Sequence, residues 1–316
     1  MGLTAQSCQG QDKERCEIIT ADPAGNITVF VLGEVRDRDR VVRRIMADGD
    51  LRAEQAGFVV PPASPAGYWR LEMMGGEFCG NAARSFGLLA ARFLGLAGKA
   101  AVTVETSGMA RPLTVRVDMD AGGPGNASAV PGAEGGAAGT DTEGGAGMAG
   151  LGGTAELEIP GPLREESIPW EGRSLPALVF DGITHVIAPG VAPERDRFDA
   201  IRRAVEAAWG AGAGLSALGV MFWDRRKQFM TPAVYVYRSE TLVFESSCGS
   251  GSAAMAVWLD GNAAPPSNPG AAGGGRRYPV RQPGGIIETR VVRRDGGLSV
   301  AIGGRVTLSG KRTLLL

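Results

Sequence analysis

Short apolar runs, many with a polar residue at every second place, recur along this chain. Glycine, proline and charged clusters separate them, which is the pattern of strands punctuated by turns. "CEIITADPAGNITVFVLG" (16–33) predicts two strands around a Pro/Gly turn. Residues 37–55, "DRDRVVRRIMADGDLRAEQ", carry apolar positions at helical spacing and predict a surface helix. "GFVVPP", "GYWRLEMMGG" and the alternating pair in "AAVTVETSGMARPLTVRVDM" predict further strands. In the second half, "TAELEIPG", "LPALVFDGITHVIAPG", "GVMFW", "AVYVYR" and "TLVFESS" read as strands. "DRFDAIRRAVEAAWGAG" there reads as an amphipathic helix stopped at Gly210.

Two segments break this pattern by being apolar on nearly every side. They are "ARSFGLLAARFLGLAG" (83–98) and "SAAMAVWL" (252–259), and both predict buried helices. Each follows a strand and a cysteine phrase, "EFCGNA" with Cys79 and "ESSCGSG" with Cys248. The chain therefore reads as an α/β (α+β) protein of two related halves, residues 1–150 and 151–316. The last strand is free to return to the first half. Residues 121–153 are dominated by Gly, Ala, Ser and Thr and cannot build a core, so they read as a flexible insertion or linker. A second such patch covers 261–277.

Composition narrows the function classes. The net charge is -1, which gives no reason to expect a nucleic-acid or membrane-surface partner. No stretch approaches the ~20 apolar residues that span a bilayer. The N-terminal segment is polar and lacks the apolar core of a signal peptide, so a cytoplasmic protein is expected. The four cysteines, Cys8, Cys16, Cys79 and Cys248, match no zinc or C-x-x-C spacing and should be thiols in a reducing compartment. Cys8 and Cys16 receive no role. With one histidine in the chain, His185, most His-based metal sites are excluded.

The repeated order of strand, Cys-Gly, small residues and apolar helix places each cysteine at a helix N-terminus. Four backbone N–H groups are unpaired there and the dipole is positive. A thiolate is stabilised at such a place, so a lowered thiol pKa is expected. The adjacent N–H groups suit a carboxylate. If the two halves face each other, two thiols flank one anion site. That suits removal of a proton α to a carboxylate by one thiolate and its return by the opposite thiol. A cysteine among small residues is more commonly an inert packing residue. A disulfide between Cys79 and Cys248 is a second bland alternative. Packing alone gives no reason to repeat Cys-Gly at the same point of two halves.

On "DPAGNITVFVL", "FCGNAARS", "SCGSGSAA" and "RQPGGII", the chain resembles the diaminopimelate epimerase superfamily of cofactor-independent racemases and epimerases. On "EQAGF", "GGEFCGNA", "GVMFWDRRKQF", "ESSCGSG" and "QPGG" it is similar, within that superfamily, to the histidine racemases of staphylopine-type metallophore pathways. The resemblance implies two pseudo-symmetric domains, each a curved mixed sheet around a central apolar helix. It implies an amino-acid substrate, no cofactor, and a homodimer as a common state. Cys79 and Cys248 become the acid/base pair. Gly80, Asn81, Gly249 and Ser250 bind the α-carboxylate, and Asn26 and Glu54 orient the substrate. Glu54 is also a candidate imidazole partner, against the competing reading of an exposed helix-end charge. Glu77 reads more readily as an exposed turn acid. His185 falls at a family histidine position and reads equally as a core residue. The Glu-Arg pair of diaminopimelate epimerase is missing, because Glu240 has no arginine after it. The epimerase's two further asparagines align with Ile183 and Gly219. Diaminopimelate epimerase itself and an inactive racemase-fold binding protein are the competing functions.

Overall fold

The computed structural model describes residues 15–64, 66–120, 152–210, 215–238, 240–263, 275–294 and 297–316. The first elements are β1 (Arg15–Asp22), β2 (Thr28–Leu32), α1 (Arg38–Met46), β3 (Gln55–Val60) and β4 (Trp69–Met73). They are followed by α2 (Gly80–Phe93), β5 (Lys99–Thr106), β6 (Leu113–Met119) and β7 (Gly152–Pro160). β1 and β2 form an antiparallel hairpin, and β2 runs parallel to β3 across α1. β3 is antiparallel to β4, and β4 runs parallel to β5 across α2. β5, β6 and β7 continue antiparallel.

The same order of connections follows. β8 (Arg164–Trp170), β9 (Arg173–Phe180) and β10 (Ile183–Pro189) are successive antiparallel neighbours. After α3 (Arg195–Trp209), β11 (Ala217–Asp224) lies parallel to β10. β12 (Phe229–Val236) is antiparallel to β11 and carries the edge strand β13 (Thr241–Phe244). Then come α4 (Gly249–Gly261), the two-residue β14 (Arg276–Arg277), and β15 (Val280–Gln282) parallel to β12. β16 (Gly285–Arg294), β17 (Gly297–Leu308) and β18 (Arg312–Leu315) complete the chain. β17 pairs with β7 on one side and with the end of β1 on the other, so the first seven strands and β17 close on themselves. β18 pairs with β1 as well. The fold is a mixed α+β architecture dominated by sheet.

Both apolar helices sit where their sequences demand. Residues 80–91 of α2 and 249–257 of α4 are all buried. β6 shows the period-two pattern that lets a strand cover such a helix, burying Leu113, Val115, Val117 and Met119 and exposing the residues between. Gly87 lets α2 lie against β6, since a Cβ there would stand 2.4 Å from the Cβ of Val115. Among the described residues no helix is long and apolar enough to cross a membrane.

Three expectations are corrected. The helix read over 37–55 ends at Met46, because Asp48, Gly49 and Asp50 turn the chain and Arg52 takes a left-handed φ of 47°. "LPALVFDGITHVIAPG" is two strands, β9 and β10, divided at Asp181-Gly182, where Gly182 has a φ of 78°. β8 was not anticipated, because only Ile168 and Trp170 of its seven residues face the core. Most of the 121–153 segment, most of the 261–277 patch, and Cys8 lie outside the described residues. Gly152 and Gly153 belong to β7.

Candidate active site

Cys79 is the N-cap of α2 and Cys248 the N-cap of α4, with nearly equal backbone angles (φ -123°, ψ 113° and φ -124°, ψ 116°). Each sulfur accepts the N–H three residues on, from Ala82 and from Gly251, at 3.4 Å in both cases. The thiols thus satisfy one first-turn donor apiece and leave the N–H groups of Gly80, Asn81, Gly249 and Ser250 as first-turn donors with no partner inside their own helices. The two helices meet end to end. A Cβ on Gly249 would stand 3.1 Å from the nitrogen of Asn81, and one on Gly80 would stand 3.6 Å from that of Ser250. A side chain at Gly249 would crowd the Asn81 backbone, and one at Gly80 would stand 2.6 Å from Ile302 Cδ1, so the small residue after each cysteine favours the close junction.

Three other sequence segments converge on this junction. Asn26 is buried; its Nδ2 donates to Glu54 at 2.7 Å, and its Oδ1 accepts from Gln55 at 2.8 Å and from Asn81 at 3.3 Å. Asn81 also donates to the carbonyl and hydroxyl of Ser247, both at 3.1 Å, so its side chain ties the two cysteine phrases together. Gly25 (φ 87°) packs on Gly284, with room for no Cβ, since one would lie 2.5 Å from the Gly284 Cα. Gln282 accepts the N–H of Cys248 at 2.8 Å and donates to Ser252 at 2.9 Å. Arg84, in the second turn of α2, is fully buried and donates to Asn81, Gly304 and Pro23. Burial lowers its pKa to about 10.

A cleft opens at the junction. It is lined by Asn26, Glu54, both cysteines, Glu77 and Glu245, with an apolar wall that includes Ile183 and Val236. Gly80, Gly249 and Ser250 also reach it. Glu54 is half-buried and precedes β3, so it is no helix-end charge; its carboxylate is held by Asn26 and by the N–H and hydroxyl of Ser246. Glu77 is half-buried at the cleft rather than an exposed turn acid. His185 is fully buried, its Nε2 3.0 Å from the Ser250 hydroxyl, and burial lowers its pKa to about 3. It stands behind the cleft wall and is neutral. Glu240 is exposed and does not line the cleft.

The thiol pKa expectation is reversed. Burial pushes Cys79 up to about 12, with the nearby Glu245 carboxylate adding to the rise. Burial and then Glu245 raise Cys248 well above its ordinary value. A helix end contributes about 0.3–2 kcal/mol, which is too little to offset desolvation next to a carboxylate. Glu245 itself is raised to about 8, mainly by burial, then by Glu54 and Glu77. Sequence reading passed over Glu245, Gln55, Ser246 and Gln282. The signal for the first and third lay in the quoted phrase "ESSC" itself, three and two residues before the cysteine.

The family described as "Histidine racemase CntK N-terminal domain" matches residues 15–127 and 152–314. A histidine racemase of Fusobacterium nucleatum subsp. nucleatum (strain ATCC 23726) is 30% identical over 247 residues, covering 77% of this chain and 81% of that protein. Among solved structures, a predicted epimerase from Pseudomonas aeruginosa superposes with a TM-score of 0.59 at 14% identity, over 96% of this chain and all of the other. A hydroxyproline epimerase from Agrobacterium vitis, with bound trans-4-OH-L-proline, gives 0.57 at 10% identity, over 96% and 92%.

Proposed function

We propose, from the premise that this chain belongs to the histidine racemase CntK N-terminal domain family and is an isomerase of the racemase class, that it interconverts L- and D-histidine without a cofactor. Cys79 and Cys248 exchange the roles of base and acid. The observation that carries the reading is the end-to-end meeting of two cysteine-capped helices. An α-carboxylate seated on the N–H groups of Gly80, Asn81, Gly249 and Ser250 would hold Cα between the two sulfurs. The charge that develops on that carboxylate as the α-proton leaves would meet two helix dipoles, with the buried Arg84 guanidinium behind them. Asn26 and Glu54 orient the substrate through the network they share. The recurring connection order supports two pseudo-symmetric halves, 1–150 and 151–316, with β17 and β18 crossing back to the first.

A thiol with a pKa near 12 is almost wholly protonated at neutral pH. The base must therefore form inside the complex, where a substrate cation favours the ionised forms of both the Glu245 carboxyl and the neighbouring thiol. Closure against water would strengthen the same interactions. Diaminopimelate epimerase activity is the competing reading. Ile183 at the cleft and Gly219 beneath the His185 ring offer no amide to a distal carboxylate.

The deciding experiment is incorporation of solvent deuterium at Cα in heavy water, followed by NMR and chiral chromatography, for L-histidine and LL-diaminopimelate in parallel. Exchange and racemisation of histidine alone are expected. Exchange of diaminopimelate alone would move the chain to the competing reading, and exchange of neither would leave a binding protein.

A further inference from the structure

The charges around the cleft are one-sided. Glu54, Glu77 and Glu245 line it, and among its described lining residues none is lysine, arginine or histidine. The three carboxylates differ in what already holds them. Glu54 accepts from Asn26 and Ser246. The Oε2 atoms of Glu77 and Glu245 are sealed from bulk water and have no hydrogen-bond partner. Their places also differ. Glu245 lines the cleft with both thiols, acts on each of them and hydrogen-bonds Cys248, so it belongs to the reacting end of the cleft. The Oε2 of Glu77 lies toward Gly75 and the apolar wall: a Cβ on Gly75 would be 2.5 Å from that oxygen and 3.6 Å from Val236 Cγ1.

We propose that Glu245 and Glu77 form a two-point seat for positive charge, Glu245 taking the α-ammonium and Glu77 a ring N–H, so that histidine is bound as its imidazolium cation. The inference rests on the histidine reading above and adds a specificity rule to it: the cleft selects amino acids whose side chain brings a second positive charge. Backbone N–H groups at Gly75 and Glu77 act on the Glu77 carboxyl, and the Cys248 thiol on that of Glu245, yet one oxygen of each stays without a partner. A buried polar atom in that state is costly, and an entering cation is the group that relieves it. The proton need not come from solvent. Burial raises Glu77 above the ordinary carboxyl value, which favours its protonated form. On contact with a neutral ring the carboxyl O–H bond breaks and an imidazole N–H bond forms, which leaves an ion pair. The titratable groups that line the cleft with Glu77 are Glu54, Glu245 and the thiols Cys79 and Cys248, all acidic or neutral. The Arg238 guanidinium lies beside Gly76 at the turn and is not among the described lining residues.

The test uses the full chain. Bind uniformly 15N-labelled L-histidine to the Cys79→Ser variant at pH 8 and read the ring protonation from the nitrogen shifts. In parallel, measure KM and kcat for L-histidine and for β-(2-thienyl)-L-alanine, a neutral isostere, with wild type, Glu77→Gln and Glu245→Gln. The expected result is a doubly protonated bound ring that becomes neutral when Glu77→Gln is added. KM for histidine should rise on the order of tenfold to a hundredfold in Glu77→Gln, with little change in kcat. The thienyl substrate should show no such rise. A neutral bound ring at pH 8, or equal KM values for the two substrates in wild type, overturns the seat while leaving the racemase reading intact. Absence of deuterium exchange from histidine in wild type would sink that reading and this one together.

Discussion

The carboxylate of Glu54 accepts the backbone N–H of Ser246 at 3.1 and 3.2 Å, although 192 residues separate the two in sequence. The same carboxylate holds Asn26 at 2.7 Å. One side chain from the approach to β3 therefore fixes the segment that leads into Cys248, and the position of one thiol depends on the other half of the chain.

Glu54→Ala removes this clasp and leaves the Ser246 N–H without a partner, a loss of about 1–3 kcal/mol. Calorimetry should show a melting temperature lower by several degrees, and α-deuterium exchange should fall with it. Glu54→Gln, which can still accept the Ser246 N–H, should recover part of both. A Glu54→Ala protein that melts with the wild type would show that the clasp contributes nothing.

Cys79→Ala and Cys248→Ala should each abolish racemisation while keeping the fold, since both sulfurs cap helices whose remaining turns are buried in apolar surroundings. Cys→Ser at either position should lower the rate by about 10²–10⁴, the usual contribution of a positioned acid or base. Circular dichroism checks the fold, and chiral chromatography the activity. Full activity in either alanine variant is incompatible with a two-thiol mechanism.

Glu245 predicts a pH dependence of stability. Its carboxyl is raised from 4.5 to about 8, mainly by burial. The folded chain keeps this proton where the unfolded chain has already lost it, so the contribution is fully present below pH 4.5. It declines as the pH rises and is exhausted above about 8. Glu245→Gln cannot titrate. Urea unfolding of the two proteins should show the wild type losing ground to the variant between those pH values and a constant difference above them. A difference that is flat with pH would mean Glu245 is ionised in the fold throughout.

Gly219→Ala would drive a methyl group to 2.3 Å from His185 Nδ1. The imidazole is fully buried on β10, where His185 and Gly219 are register partners, so it can yield only by moving its neighbours. Overpacking of this kind costs about 1–3 kcal/mol. The movement should also disturb Ser250, which His185 holds at 3.0 Å beside Cys248. The expected outcome is lower thermal stability together with lower kcat, read from melting curves and initial rates.

Local rules made much of the fold legible. α2 and α4 stand out as all-round apolar helices, and β6 and the β1–β2 hairpin follow simple periodicity. α1 was overextended because a charged turn with helical-looking spacing carries no proline to stop it. β8 escaped notice because a strand with one weakly covered face has little pattern to show. At the candidate site, the two cysteines and their glycines were visible because chemistry and repetition coincide there. Gln282 was not, because nothing in "RQPGG" says what lies opposite, and Glu245 was marked only by its nearness to Cys248 in "FESSC", which does not say that it is buried beside both thiols.

What the sequence determined by itself was the placing of Cys79 and Cys248 at helix N-termini, since capping and periodicity are local and act within a few residues. What only the tertiary structure decided was the company those thiols keep. The approach of Gly80 to Gly249, the Glu54–Ser246 clasp and the crowding of three glutamates join segments far apart in the chain. The pKa values follow from that company, because desolvation and charge–charge repulsion depend on distance in space and are blind to order in the sequence.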